Sequence, residues 1–159
     1  MIEKGKISQE PFIEILKTLE EAESANLVDW NAMNIASVDQ MNQPSSRMVL
    51  LKKISDDGLV FYTNYNSRKG KEIELNPKVA VNFWWRELKK QIRVEGFIEK
   101  ASEEDSDDYF NSRPLKSRVS AIISNQSSKI SSYEDLTNQI DNYLEQNDES
   151  SIKRPDHCG

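Results

Sequence analysis

The sequence predicts an α+β protein in which an antiparallel β-sheet closes into a small barrel flanked by helices. Between residues 32 and 100, short runs of β-branched and aromatic residues alternate with turn residues, as in strands joined by hairpins. On either side of this region, apolar residues recur every three or four positions, which is typical of amphipathic helices. An open sheet of this size leaves edges that need covering, so closure into a barrel is favoured.

An amphipathic helix is predicted within the N-terminal residues 1–25. The apolar side chains between Glu10 and Ala25 are spaced three and four residues apart, so they form one stripe on a helix. The members of this stripe are Phe12, Ile13, Leu16, Leu19 and Ala22.

Five strands and one inserted helix are predicted next. Asp56-Asp57-Gly58 separates the second strand from the third, because Asp and Gly tolerate the positive φ of tight turns. Ser67 can cap a helix over 68–75, and Asn76-Pro77 ends that helix. The predicted strands are 32–38, 46–54, 59–63, 79–85 and 89–100.

After residue 100 the pattern becomes helical, with helices predicted over 102–110, 114–123 and 133–144. Residues 147–159 are polar and are expected to form a loose tail. No internal repeat or linker divides the sequence, so residues 1–159 are predicted to form a single domain.

Composition excludes several kinds of active site. The single histidine and the single cysteine, His157 and Cys158, lie in the predicted tail, where no element can orient them. A histidine-activated nucleophile and a zinc site with three or four ligands are therefore not expected. We predict no metal and assign no catalytic side chain. If the chain is an enzyme, a bound organic cofactor is expected to supply the chemistry.

Charge and hydropathy restrict the partners. No apolar run approaches the roughly 18 residues of a membrane-spanning helix, and the N-terminus lacks the apolar stretch of a secretory signal. A cytoplasmic protein without a membrane partner is expected. The net charge is −6, yet residues 47–100 carry twelve Lys and Arg against seven Asp and Glu. This distribution favours a small anionic ligand over nucleic acid, the alternative being ordinary surface lysines.

Two segments could hold such an anion. Arg47 and Lys52 bracket an apolar run, and a strand places them roughly 16 Å apart, so they either meet separate anions or are edge charges. The segment 67–71, Ser-Arg-Lys-Gly-Lys, falls at a predicted helix N-terminus. Three cations at the positive pole of a helix, with Gly70 allowing close approach, favour a phosphate site over a solvated turn.

A third cluster lies between two predicted helices. Tyr109 and Arg113 are four residues apart and share a helical face, while Pro114 begins the next helix and places Ser117 in its first turn. A phenol, a guanidinium and a hydroxyl suit a second phosphate, although a structural corner between helices explains the same residues equally well.

Four ordered blocks of the sequence resemble the pyridoxamine 5′-phosphate oxidase family, from about residue 26 to residue 130. The blocks are Arg47-Met48-Val49-Leu50-Leu51-Lys52, then 61–64 with 67–69, then 109–114, then Gln126-Ser127-Ser128. The resemblance implies a split β-barrel that binds FMN, a homodimer, and a role in vitamin B6 metabolism.

The resemblance also implies roles for particular residues. Lys52, Tyr109, Arg113 and Ser117 would bind the phosphate of pyridoxamine or pyridoxine 5′-phosphate. Hydride transfer from the substrate C4′ to the flavin N5 would give pyridoxal 5′-phosphate, with O₂ as the final acceptor and hydrogen peroxide as the by-product. The implied FMN contacts are Arg47, Met48, Val49, Leu50, Leu51, Lys52, Tyr62, Thr63, Arg68, Lys69, Gln91, Gln126 and Ser127.

The last seven residues, 153–159, resemble an Arg-Pro-x-x-Trp-Gly segment of the family, with Cys158 in place of Trp. Family members continue for several dozen residues, so the resemblance implies that the last strands and an Arg-x-His element over the substrate are missing here. A non-catalytic protein that binds FMN or pyridoxal phosphate is therefore the alternative to an oxidase. A small nucleic-acid-binding barrel and a relative acting on another substrate are the remaining alternatives.

Overall fold

A computed structural model describes residues 2–159, and the five helices and seven strands within them confirm the α+β class. The helices are α1 (Glu10–Ser24), α2 (Arg68–Leu75), α3 (Glu103–Ser112), α4 (Leu115–Ile123) and α5 (Tyr133–Gln146). The strands are β1 (Glu3–Lys4), β2 (Ala32–Val38), β3 (Pro44–Leu50), β4 (Lys53–Ser55), β5 (Gly58–Val60), β6 (Lys78–Trp85) and β7 (Lys90–Phe97).

The chain divides into two compact units, which are described separately. Unit 1 contains the described residues up to Tyr62 together with Glu72–Glu99. Unit 2 contains Thr63–Lys71 and Lys100–Gly159.

The strands of unit 1 form two sheets, whereas the sequence predicts one closed sheet. The first is antiparallel in the order β3-β2-β6-β7, and the second has the order β1-β4-β5 with β1 parallel to β4. The predicted strand 46–54 is divided between them, because Leu51 N donates to Asn31 O and Lys52 N donates to Val60 O. The chain thus passes from one sheet to the other between Leu51 and Lys52.

One hydrophobic core in unit 1 is shared by α1 and both sheets. Trp85 stacks on Phe83 with ring centroids 5.3 Å apart, and its indole Nε1 donates to Trp30 O at 2.7 Å. The neighbouring Trp84 leaves 58% of its surface exposed. The core side chains include Leu19, Met33, Ile35, Ile54 and Phe83.

Asp56, in the turn between β4 and β5, binds Ser8 and Gln9, the two residues that precede α1. The helix receives no side-chain cap from its own N-cap residue, Gln9. Instead, the Asp56 carboxylate accepts hydrogen bonds from the Ser8 hydroxyl at 2.5 Å, from Ser8 N at 2.9 Å and from Gln9 N at 3.0 Å. These bonds stabilise the charged form and lower the pKa of the Asp56 carboxyl.

Unit 2 consists mainly of helices, and its core forms around Phe110, Val119 and Ile152. Its last residues differ from the loose tail that their polarity predicts. Ile152 and Cys158 are buried, and Thr63 and Gly159 exchange backbone hydrogen bonds at 2.6 and 3.0 Å. The segment is ordered because buried apolar side chains and backbone pairing hold it, which its composition does not reveal.

Arg154 fixes the same segment to α3. Its Nε donates to Asp107 at 2.7 Å, and its Nη2 pairs with Glu103. Both carboxylates raise the pKa of the guanidinium further above its ordinary value. None of the helices in the described part of the chain is long and apolar enough to cross a membrane.

Candidate functional site

A cavity of about 490 Å³ lies at the first turn of α2, within unit 2. Arg68 and Lys71 are the charged residues on its wall, so the cavity is cationic. Carboxamide and hydroxyl groups provide the rest of its polar lining. An anion at this position would also lie near the positive end of the α2 helix dipole. The lining residues are Asn66, Arg68, Lys71, Asn125, Gln126, Ser127 and Ser128.

The loop after α4 contacts the start of α2 through two hydrogen bonds. Lys69 Nζ lies 2.9 Å from Gln126 Oε1, and Arg68 N donates to Ser127 Oγ at 3.2 Å. Ser127 has a φ of 69°, a left-handed conformation that non-glycine residues adopt infrequently. The structure therefore brings together four of the residues for which the sequence predicts a cofactor contact.

Lys69 differs from its neighbours because it is only 7% exposed. Its ammonium donates to Ser67 Oγ at 3.1 Å as well as to Gln126. Ser67 Oγ also accepts from Gly70 N at 3.2 Å, and therefore satisfies one of the free N–H groups of the first helical turn. Ser67 thus caps the helix, as the sequence predicts.

Gly70 is explained by packing within the protein. A Cβ atom at this position would lie 2.1 Å from Tyr65 O and 2.5 Å from Tyr65 C, which are backbone atoms. From the sequence, Gly70 was predicted to allow the close approach of a ligand. The structure instead shows that the chain itself passes too closely for any side chain.

Thr63 contains a buried polar atom without a partner. Its backbone N–H and C=O are both bonded to Gly159, but Oγ1 is inaccessible to solvent and has no hydrogen-bond partner. Buried hydroxyls are nearly always paired, so an unpaired one is a candidate contact for a bound group. Thr63 is among the residues for which the resemblance implies an FMN contact.

In unit 1, the residues of β3 and the position after it occupy different environments. Met48 and Leu50 point to the exposed face of the sheet, whereas Arg47 and Val49 are half-buried on its other face. Leu51 is fully buried in the core. Only some of these side chains could therefore contact a ligand on either face of the sheet.

The Arg47 guanidinium is held within unit 1. Nη1 donates to Ser37 Oγ at 2.6 Å and to Ile35 O at 3.3 Å. Nη2 donates to Ser45 Oγ and to the buried carboxylate of Glu72, the latter at 3.0 Å. Nothing in the sequence around Glu72 indicates this contact.

Three other residues of unit 1 for which the resemblance implies an FMN contact take no part in the hydrogen bonds of Arg47. Gln91 is exposed on β7 and donates from Nε2 to Asn82 Oδ1 at 2.8 Å. Lys52 and Tyr62 are half-buried, at the ends of the segments that lead into and out of the three-stranded sheet.

The third predicted cluster is partly assembled in unit 2. Arg113 Cζ lies 5.9 Å from the centre of the Tyr109 ring, within the range of a cation–π contact. Pro114 precedes α4, and Ser117 N donates to Pro114 O at 2.8 Å in the first turn. Tyr109 and Arg113 therefore lie side by side, but not on one helical face as predicted, because α3 ends at Ser112 and the Arg113 backbone is extended.

The sequence profile of the family described as pyridoxamine 5′-phosphate oxidase matches residues 19–143. The chain belongs to this family.

Curated relatives agree with this assignment. The chain is 47% identical over 154 residues to the pyridoxine/pyridoxamine 5′-phosphate oxidase of Nostoc sp., covering 97% of this chain and 72% of that protein. It is 40% identical over 158 residues to pyridoxine/pyridoxamine 5′-phosphate oxidase 2 of Hydrogenovibrio crunogenus, covering 99% and 74%.

Solved structures show the same fold. PhzG from Burkholderia lata, in complex with tetrahydrophenazine-1-carboxylic acid, matches with a TM-score of 0.87 and 24% identity, over 95% of this chain and 74% of that one. A pyridoxamine 5′-phosphate oxidase-related, FMN binding protein from Nostoc punctiforme matches with a TM-score of 0.70 and 17% identity, over 96% and 79%. The predicted fold class is confirmed.

Within this family fold, sequence reasoning missed part of the cavity wall. Asn66 and Asn125 immediately precede predicted residues or motifs, and Ser128 follows Ser127. Lys71 belongs to the cationic segment 67–71, but the resemblance assigns it no contact. The only sequence signal for these residues was their position next to the motifs along the chain.

Proposed function

We propose that this chain binds FMN and oxidises pyridoxamine or pyridoxine 5′-phosphate to pyridoxal 5′-phosphate, with O₂ as the acceptor. The observation that carries the proposal is the cationic cavity at the start of α2, whose lining includes Arg68, Gln126 and Ser127, three residues that the family resemblance assigns to FMN. The names of the curated relatives support the same activity.

The residues of unit 2 fit a flavin phosphate. Arg68 supplies a guanidinium that can make two parallel hydrogen bonds to phosphate oxygens, and Lys71 adds a second positive charge. The hydroxyls of Ser127 and Ser128 are further donors. The unpaired Thr63 hydroxyl is a candidate hydrogen-bonding group for the same cofactor.

In unit 1, we propose that the segment Arg47–Lys52, Tyr62 and Gln91 also contact FMN. When bound, FMN supplies the acceptor for the two electrons that leave the substrate. The protein then has to bind, orient and shield the reactants, and it needs no nucleophilic side chain. The proposed chemistry therefore does not require the single histidine or the single cysteine of the chain, His157 and Cys158, as a nucleophile.

For the substrate phosphate, we propose Tyr109, Arg113 and Ser117, which all lie in unit 2. The ring of Tyr109 lies beside the Arg113 guanidinium and restricts its orientation. A restricted guanidinium loses less conformational entropy when it binds a phosphate.

We also propose that the chain forms a homodimer through the exposed face of the four-stranded sheet. Met48, Leu50, Trp84 and Phe97 lie on this face, since their strands pair in the register Met48–Asn34–Asn82–Arg93 and side chains two positions apart share a face. Phe97 is 77% exposed. Exposed apolar patches of this kind mark interaction surfaces. Light scattering at micromolar concentration should give a dimer, and Trp84→Ser should give a monomer with unchanged circular dichroism.

The oxidase proposal is tested by an FMN titration followed by an aerobic assay. Quenching of flavin fluorescence should give saturable binding of one FMN per chain. The loaded protein should then convert pyridoxamine 5′-phosphate, water and O₂ into pyridoxal 5′-phosphate, ammonia and hydrogen peroxide. Arg113→Ala should raise KM for the substrate and leave FMN affinity unchanged, which separates the two phosphate sites.

The outcomes distinguish the alternatives. Tight FMN binding without product formation would identify a non-catalytic flavin-binding protein. Failure to bind FMN at all would overturn the proposed function.

A further inference from the structure

A cluster of four polar side chains in unit 1 joins β2 and β3 to α2. One carboxylate oxygen, Glu72 Oε2, accepts hydrogen bonds from Ser37 Oγ and Ser45 Oγ at 2.6 Å each, and from Arg47 Nη2 at 3.0 Å. The Glu72 side chain is 5% exposed and that of Arg47 is 22% exposed. We call this group the Arg47 cluster; its members are Ser37, Ser45, Arg47 and Glu72.

The hydrogen-bond directions in the Arg47 cluster are fully determined. Each serine hydroxyl donates its one hydrogen to Glu72 and accepts a hydrogen from Arg47. With Ile35 O as the fourth acceptor, all four Nη hydrogens of Arg47 are used. Only the Nε–H of this guanidinium has no acceptor among residues 2–159, so it is the donor that Arg47 keeps for a ligand.

A buried carboxylate is stable only if it is paired and hydrogen-bonded. Glu72 meets this condition through Arg47 and the two serines. Conversely, a charged arginine has many rotamers unless its planar fork is fixed by partners. Glu72 is the partner of opposite charge, and it belongs to a different element from the strand that carries Arg47.

We propose that Glu72 is a positioning residue for Arg47. It fixes the plane of the guanidinium, so that the remaining Nε–H is presented to FMN in one orientation. Arg47 contributes to cofactor binding through this one donor and through its charge, not through the two-bond contact that an unpaired arginine makes. The inference rests on the proposed binding of FMN.

The test compares Glu72→Gln with Glu74→Gln. Both variants remove one negative charge from α2, but Glu74 is exposed, whereas Glu72 is buried against Arg47. Because loss of a charge-assisted hydrogen bond weakens binding by about tenfold or more, E72Q should bind FMN about tenfold more weakly than E74Q. The measurement is the FMN dissociation constant from fluorescence quenching.

A double-mutant cycle shows whether Glu72 acts through Arg47. Arg47→Lys keeps the charge and removes the planar fork. In the R47K background, adding E72Q should change FMN affinity by less than about twofold, because residues that act as a unit are not additive. An equal loss from E72Q in both backgrounds would overturn the proposed role.

A second readout needs no FMN. In the NMR spectrum of the cofactor-free protein, the Nη hydrogens of Arg47 should give separate resonances, because four hydrogen bonds hinder rotation of the guanidinium. E72Q should merge these resonances and E74Q should not. Merged resonances in the wild type would overturn the inference whatever the FMN result.

The outcomes separate the two proposals. If the wild type binds FMN and E72Q equals E74Q, the positioning role of Glu72 is wrong while the proposed function stands. If the wild type does not bind FMN, the proposed function fails and the inference fails with it. Should E72Q not fold, Ser45→Ala removes one bond to each charged partner, and it should weaken FMN binding relative to E74Q; an unchanged affinity would contradict the role.

Discussion

The ammonium of Lys69 lies 2.9 Å from the amide oxygen of Gln126, although 57 residues separate them in the sequence. Lys69 is buried, so its charge needs polar partners, and Gln126 and Ser67 provide two of them. This contact fixes the loop after α4 against the first turn of α2. The cationic cavity is a consequence of this contact, because Gln126 and its neighbours form one wall and Arg68 and Lys71 belong to the other.

Arg68→Ala should weaken FMN binding more than tenfold, because a charge-assisted contact to phosphate is worth about 1.5 to 3 kcal/mol. Arg86→Ala is the matched control, since it removes the same charge from an exposed position in unit 1. Dissociation constants from flavin fluorescence check this. Equal affinities for the two variants would place the cofactor phosphate elsewhere.

Gly70→Ala should destabilise the protein by about 3 kcal/mol or more, because overpacking against atoms that cannot move is costly. The added methyl group would lie 2.1 Å from the carbonyl oxygen of Tyr65. Gly96→Ala is the control, since nothing lies within 4 Å of a Cβ atom there. Urea unfolding gives both values, and a G70A variant as stable as G96A would show that the close approach is incorrect.

The sequence predicted the elements better than their arrangement. All five helices and the strands β2 and β6 were expected within one or two residues, because hydrophobic periodicity and turn residues are local signals. The passage of the chain from one sheet to the other at Leu51 and Lys52 was not predicted, because it depends on backbone hydrogen bonds to the distant residues Asn31 and Val60. β1 has only two residues and gives no periodic signal.

For the site, the sequence indicated which residue types would lie together. It did not indicate which of these residues would be held by contacts within the protein. The cationic character of 67–71 at a helix start was visible in the sequence, and Arg68 and Lys71 from this segment line the cavity. Glu72 could not be recognised, because its significance lies in the contact with Arg47, which is 25 residues away. Gly70 was explained incorrectly for the same reason, since its constraint is the chain at Tyr65.

Asp56 should make stability depend on pH in the acidic range. Hydrogen bonds from Ser8 and Gln9 lower its pKa in the folded state below the ordinary value of 3.8. A carboxyl with a depressed folded pKa contributes stability above its unfolded pKa and loses it as the pH falls through the folded pKa. Asp56→Asn should therefore lower Tm at pH 7, and its difference from the wild type should shrink below about pH 4.

Thermal melts between pH 2 and 7 measure this difference, and Asp57→Asn in the same turn is the control. A difference between wild type and D56N that stays constant through this range would contradict the stabilising role of the Asp56 hydrogen bonds to Ser8 and Gln9.

Cys158 should react slowly with alkylating reagents in the native protein. Burial raises the pKa of its thiol, although Arg113 and Arg154 partly oppose this, and the thiolate is the reactive form. The rate of iodoacetamide labelling at pH 8 should rise many-fold when urea unfolds the chain. Ser150→Cys in a Cys158→Ser background gives the exposed control, and native rates that match this control would show that the segment around Cys158 is not packed.

The most direct test of the proposed oxidase is anaerobic mixing of the FMN-loaded protein with pyridoxamine 5′-phosphate in a stopped-flow instrument. The visible absorbance of the flavin reports the arrival of two electrons from the substrate, independently of any later reaction with O₂. This absorbance should be lost much faster than with free FMN, and Arg113→Ala should slow the loss at low substrate concentration. Flavin that is tightly bound but stays oxidised through the experiment would contradict the proposed oxidase activity.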